Sequence, residues 1–246
     1  MVQLDTRAYA TVEPLFDGFD FHQAHFGSVL AGYIPGRVFA DDADHPTCAA
    51  ILPDEGFLYL GGTPLARFME ELARTLHAAA TECIEAFRAD LGWNDLLPLL
   101  SPDGKRETLH RNLYRLPGGI AAFFNEQAEL CPQADRPRAD PVLEVEEGPG
   151  SLSVTVLVAD ATVSRCRAYV YRGHAEIDIE TPEEHRRRGY ATLAARAFLA
   201  ECAARGIEPQ WNCWDFREES NALAIRLGFR LVRSVDVFLW DRWLDG

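Results

Sequence analysis

Residues 175–206 constrain the fold of this chain more than any other stretch. Ala175-Glu176-Ile177-Asp178-Ile179-Glu180 alternates apolar and polar residues, the period of a strand with one buried face. His185-Arg186-Arg187-Arg188-Gly189-Tyr190-Ala191-Thr192 follows as a turn, and a helical run from Leu193 to Arg205 stops at Gly206. A strand, a glycine turn and a helix start leave the helix's first N–H groups without internal partners, beside the positive end of its dipole. Gly189 and Ala191 have almost no side chain, so a diphosphate can approach the backbone, and Arg186, Arg187 and Arg188 add charge there. On these residues alone two readings stay open: a phosphate site, or an exposed basic turn capping an ordinary helix.

Around this unit the sequence alternates strands and helices. Strands are expected at 142–147, 151–159 and 163–171 before the strand at 175–180, with turns at Gly148-Pro149-Gly150, Asp160-Ala161 and Arg172-Gly173. A strand at 210–214, a helix at 219–227 and a strand at 230–240 close the chain. Upstream, a strand is expected at 108–116, a helix at 119–130 and a proline-containing loop at 131–141. The first hundred residues read as a separate α+β module. It holds a short helix through Tyr9 to Phe16 and a hairpin of 47–52 with 56–60. A long amphipathic helix follows from Pro64 to Leu91, stopped by Gly92, then a short helix at 94–100. The expected boundary is Ser101-Pro102-Asp103-Gly104, giving domains at 1–103 and 104–246. No internal repeat is visible.

The order Arg186-x-x-Gly189-x-Ala191 resembles the pyrophosphate loop of the GCN5-related N-acetyltransferases, with the pattern Gln/Arg-x-x-Gly-x-Gly/Ala. Thr181-Pro182-Glu183-Glu184-His185 is similar to the family's approach to that loop. Ser220 to Phe229 resembles its second signature, a helix ending in Leu-Gly-Phe before a last strand. The likeness runs from about Leu152 to Trp240, reaches back to about Thr108, and is absent from the first hundred residues. It implies a mixed, mostly antiparallel sheet flanked by helices, with the N-terminal module added. It also implies acetyl-CoA as acyl donor, no metal, and direct transfer to an amine. The pyrophosphate would lie on Arg186, Arg187, Arg188, Gly189, Tyr190, Ala191 and Thr192. The backbone of Ile179, Glu180 and Thr181 would bind the pantetheine arm, where the next strand, begun by Pro209, splays away. Ser220 and Asn221 would contact the cofactor, although helix capping competes for Ser220. The family's usual acid is a tyrosine in the helix before Leu-Gly-Phe; residues 219–227 contain none.

Acetyl transfer to an amine needs a base, a donor to the carbonyl oxygen and a route for the thiolate's proton. Glu176, Asp178 and Glu180 share one strand face and supply carboxylates for an acceptor ammonium and its deprotonation. The resemblance favours Glu176 as base; a solvated sheet face is the competing reading. Asn212 and Asp215 stand in reserve. Cys213 is conceivable as an acyl carrier, but direct transfer requires none.

Cys48, Cys83, Cys131, Cys166, Cys202 and Cys213 form no Cys-x-x-Cys pair, which favours core thiols over disulfides or zinc. The histidines show no metal-ligand spacing. A net charge of −14 argues against general nucleic-acid binding and favours a cationic acceptor, a small molecule or a peptide. No apolar run spans a bilayer and the N-terminus, Met1 to Asp5, has no basic-then-apolar secretion signal, so no membrane role and a cytoplasmic location are expected. Oligomeric state and the acceptor's identity stay open. Two rival readings remain: a silent acetyl-CoA sensor, and a module whose basic loop meets an acidic partner protein.

Overall fold

The computed structural model describes residues 1–79, 83–127 and 141–241, with no side chains described for 124–127. It divides into two compact units, one of 1–110 with 235–246 and one of 111–234. The last strand therefore contributes to both units, whereas a cut at 103/104 assigns all of it to the second domain.

In the first unit, β1 (Val2–Gln3), β2 (Gly36–Ala40), β3 (Cys48–Pro53) and β4 (Phe57–Gly62) form an antiparallel meander. Helix α2 (Ala66–Ala78) carries the chain to β5 (Cys83–Arg88), which lies parallel to β4. The C-terminal half of β12 (Arg230–Asp241) pairs antiparallel on its far side. A 3-10 helix (Thr6–Phe16) and α1 (Gln23–Leu30) complete the unit.

The expected helix from Pro64 to Leu91 is thus wrong from Cys83 on, where β5 stands in its place. Ile84 and Phe87 continue the i, i+3, i+4 pattern of Leu72 and Leu76, so periodicity alone does not expose the break. The strand is buried on both faces: Ile84 and Ala86 pack with Leu72 and Leu76, and Phe87 stacks on Tyr59 at 5.4 Å. The expected hairpin appears as β3–β4. The expected helix at 94–100 is only a 3-10 turn, Leu97–Leu100.

His22 and His25 are buried in this unit against Phe21, Phe57 and Phe87. Both Nδ1 atoms hydrogen-bond the Tyr59 hydroxyl, at 2.8 and 2.6 Å, and His25 Nε2 meets Glu55 Oε2 at 3.0 Å. Tyr59→Phe removes a partner from two buried imidazoles. It is expected to lower the unfolding free energy by about 1–3 kcal/mol in urea titration.

The second unit repeats the first strand for strand. An antiparallel meander runs through β7 (Val142–Gly148), β8 (Ser151–Val158), β9 (Ala161–Tyr171) and β10 (His174–Glu180). Helix α4 (Tyr190–Arg205) crosses to β11 (Glu208–Trp214), parallel to β10. The C-terminal part of β6 (Arg106–Arg115) pairs antiparallel on the far side of β11. Helices α3 (Gly119–Gln127) and α5 (Glu218–Arg226) join α4 around the core of Leu152, Val154, Ile177, Phe198, Trp211 and Phe229. The expected loop at 131–141 lies outside the described residues except for Pro141.

Candidate active site

The two parallel strand pairs differ where they matter. β4 and β5 stay in register from Phe57↔Glu85 to Leu60↔Arg88, and Ala89 N–H donates to the Leu60 carbonyl at 3.0 Å. β10 and β11 pair only from His174↔Glu208 to Glu176↔Gln210, yet both strands continue for four more residues. A gap therefore opens between 177–180 and 211–214. Glu208 N–H donates to Gly173 O at 2.8 Å, which turns the backbone groups of odd-numbered β10 residues toward β11. Ile179 thus presents its N–H and carbonyl to the gap. Glu180 turns its backbone to β9, and its carbonyl accepts from Ser164 Oγ at 3.1 Å. Thr181 Oγ1 lies 2.9 Å from the same hydroxyl.

Pro209 does not begin the splay. It pairs with Ala175 inside the ladder, one residue before the β6 register starts at Gln210↔Arg115. Its missing N–H falls on the β6 side, beyond that register, and costs no ladder bond.

The turn after β10 is compact. Arg187 and Gly189 both have left-handed backbone, φ 59° and 84°. Gly189 is the N-cap of α4, with no side-chain cap on the helix N-terminus. The N–H groups of Tyr190, Ala191 and Thr192 therefore face the turn. The side chains of Tyr190 and Thr192 are buried, so these residues offer backbone alone. Arg186 Nε donates to Thr181 O at 3.1 Å, tying the turn to the strand end. The side chains of Arg187 and Arg188 are exposed.

The corresponding turn of the first unit, Gly61 to Leu65, carries no arginine and is filled by the chain itself. A Cβ on Gly61 would lie 2.7 Å from Leu15 O, and one on Gly62 2.3 Å from Thr47 O.

Paired residues point to one side of a sheet, so Glu176 shares its face with Gln210, Asn212, Arg111 and Arg115. Gln210 and Asn212 are buried and Glu176 is half-buried. Arg111 Nε donates to Asn212 Oδ1 at 3.1 Å, and its guanidinium lies 4.7 Å from the Trp214 ring centre. Asp178 is exposed and held by Arg167 Nε at 2.8 Å; Glu180 is exposed. Of the three carboxylates, Glu176 alone combines partial burial with a place at the mouth of the gap.

On the opposite face, Ser220 is not a helix cap: Arg217 occupies that position, and Ser220 Oγ accepts from Trp211 Nε1 at 3.2 Å. Asn221 is a structural hub. Its Oδ1 accepts from Tyr114 Oη at 2.6 Å and Asn112 Nδ2 at 2.9 Å, while its Nδ2 reaches the carbonyls of Trp214, Asp215 and Arg217. The amide holds the turn after β11 and leaves little capacity for a ligand. Tyr114, which sequence reasoning missed, is buried, and burial raises its pKa, with Cys213 adding to the effect. Burial likewise pushes the Cys213 thiol up, which disfavours the thiolate an acyl carrier needs. Among the described residues no group of histidines, cysteines and carboxylates could hold a metal ion, and no helix is long and apolar enough to cross a membrane.

The profile of the GNAT acetyltransferases matches residues 13–120 and 146–238, so it extends into the N-terminal unit. The uncharacterized N-acetyltransferase YdfB of Bacillus subtilis (strain 168) is 26% identical, over 96% of this chain and 97% of its own. A GCN5-related N-acetyltransferase-like protein from Streptococcus suis superimposes with a TM-score of 0.66 at 20% identity, covering 95% of this chain and 98% of its own. A tandem GNAT protein from the clavulanic acid biosynthesis pathway gives 0.57 at 11% identity, covering 98% and 94%. These likenesses agree with the repeated topology.

Proposed function

Since the chain belongs to the GNAT acetyltransferase family, we propose that its second unit moves an acetyl group directly from acetyl-CoA to a primary amine. The first unit keeps the same topology without a donor site and serves the acceptor side. The single observation that carries this reading is the asymmetry between the two strand pairs, one closed and the other splayed.

The residues present fit the donor. Backbone N–H groups at 190–192 and the guanidiniums of Arg187 and Arg188 suit a diphosphate. The N–H and carbonyl of Ile179 suit the amides of a pantetheine arm, which would lie in the gap like an added strand. When bound, acetyl-CoA supplies the activated acetyl group. Glu176 orients the acceptor ammonium and takes its proton, directly or through one water. Asn212, buried on the same face and held by Arg111, positions that water or the amine. Asp178 and Glu180 add negative charge that favours a cationic acceptor, a small molecule or a peptide.

A silent donor-binding module is the second reading. It draws on α5, which has no tyrosine, and on Tyr114, whose hydroxyl is committed to Asn221. Thiol release from acetyl-CoA across a panel of amines separates the readings. Amine-dependent release is expected. Tight acetyl-CoA binding with no release above the amine-free rate supports the silent module, and no binding at all rejects both.

A further inference from the structure

We propose that a cavity in the first unit is a second ligand site, built for a small zwitterion with an apolar body such as a free α-amino acid. The cavity encloses about 350 Å³ between the end of β5, the Leu97–Leu100 turn and the nearby parts of β6 and β12. That is the size of a site for a small molecule. It shares no residue with the β10–β11 gap or the 186–192 turn, so it stands independently of the transferase reading.

Arg88 is the anchor of this cavity. Its side chain is 10% exposed. Nη1 donates to the Asp236 carbonyl at 3.0 Å, and Nη2 lies 3.8 Å from Asp236 Oδ2, too far for a hydrogen bond. Nε is buried and has no hydrogen-bond partner among the described residues. Asp236 Oδ1 is instead taken by His110 Nδ1 at 3.0 Å. Nε and Nη2 share one edge of a guanidinium, the edge that grips the two oxygens of a carboxylate or phosphate. A buried Nε–H with no partner among the described residues is rare and costly. Burial also pulls the Arg88 pKa below its ordinary value, and Asp236 only opposes the effect.

The rest of the lining decides between anions. Arg106 adds a positive charge, while Glu107 and Asp236 add two negative ones. A polyanion meets repulsion from these carboxylates, and a simple amine meets it from the arginines. A zwitterion satisfies both: its carboxylate takes the Nε–Nη2 edge of Arg88, and its ammonium lies toward Asp236 or Glu107. Leu97, Pro98 and Phe238 supply an apolar wall for its side chain.

The test is calorimetry on the full chain with leucine and other free amino acids at millimolar concentration. Among the analogues, N-acetyl-leucine lacks the ammonium, isoamylamine lacks the carboxylate, and inorganic phosphate is an anion with neither ammonium nor apolar body. The expected result is binding of at least one amino acid, with each analogue weaker by roughly tenfold or more. Arg88→Lys keeps the charge but removes the two-pronged edge, and is expected to weaken binding by a similar factor. Absence of binding by every amino acid, equal binding of an analogue, or unchanged affinity in a folded Arg88→Lys protein overturns the proposal. The analogue series uses the wild-type chain and decides the matter even if the variant does not fold.

Discussion

Glu176→Gln is expected to lower kcat/KM for amine acetylation by on the order of 10²-fold or more, the usual size of a general-base contribution. The substitution keeps the volume and a hydrogen-bonding oxygen while removing the charge and the basic site. Acetyl-CoA affinity should barely change, because Glu176 faces the side of the sheet with Gln210 and Asn212 and lies outside the turn at 186–192. The sign of the pH dependence follows from the chemistry. At neutral pH most of the amine is protonated and needs a base; as pH rises the neutral fraction grows, so the deficit shrinks. Steady-state rates across the alkaline range check this. A near-normal rate for Glu176→Gln at neutral pH rejects it as base. Asp178→Asn is expected to do less, since Arg167 already occupies that carboxylate.

Gly189→Glu is expected to weaken acetyl-CoA binding by roughly 10²-fold, close to 3 kcal/mol. Two effects combine. A side chain at φ 84° is strained by about 1–2 kcal/mol, and a carboxylate there repels a diphosphate. Gly189→Ala separates them: it carries the backbone strain without the charge. Both variants should lose similar stability to urea, while only the glutamate variant should lose most of its acetyl-CoA affinity. Equal affinities in folded Glu and wild-type proteins, measured by calorimetry, place the diphosphate elsewhere.

The sequence is most legible where local chemistry acts alone. The strand expected at 175–180 and the helix stop at Gly206 follow from period and capping, and the structure contains both, the strand as His174–Glu180. The meander of β7 to β10 follows for the same reason. What stays hidden is set by tertiary neighbours. β5 is buried on both faces, so its apolar residues mimic a continuing helix. The twofold repeat is a repeat of topology, with β12 closing one unit and β6 the other, and no residue pattern records it. Ser220 and Asn221 occupy positions where a family pattern suggests ligand contact; the sequence does not record that Ser220 Oγ accepts from Trp211 or that Asn221 Oδ1 accepts from Tyr114. Asp178 looks equivalent to Glu176 until its cross-strand partner, Arg167, is seen.

The central claim is that the splayed pair of the second unit holds the donor and the closed pair of the first does not. Amide hydrogen exchange with and without CoA measures this directly, because it reports on both units in one sample. CoA is expected to slow exchange at Ile179 and across 187–192, and to leave the first unit's 61–66 unchanged. Protection at 61–66 without protection at 187–192, or saturating CoA that protects neither segment, contradicts the account.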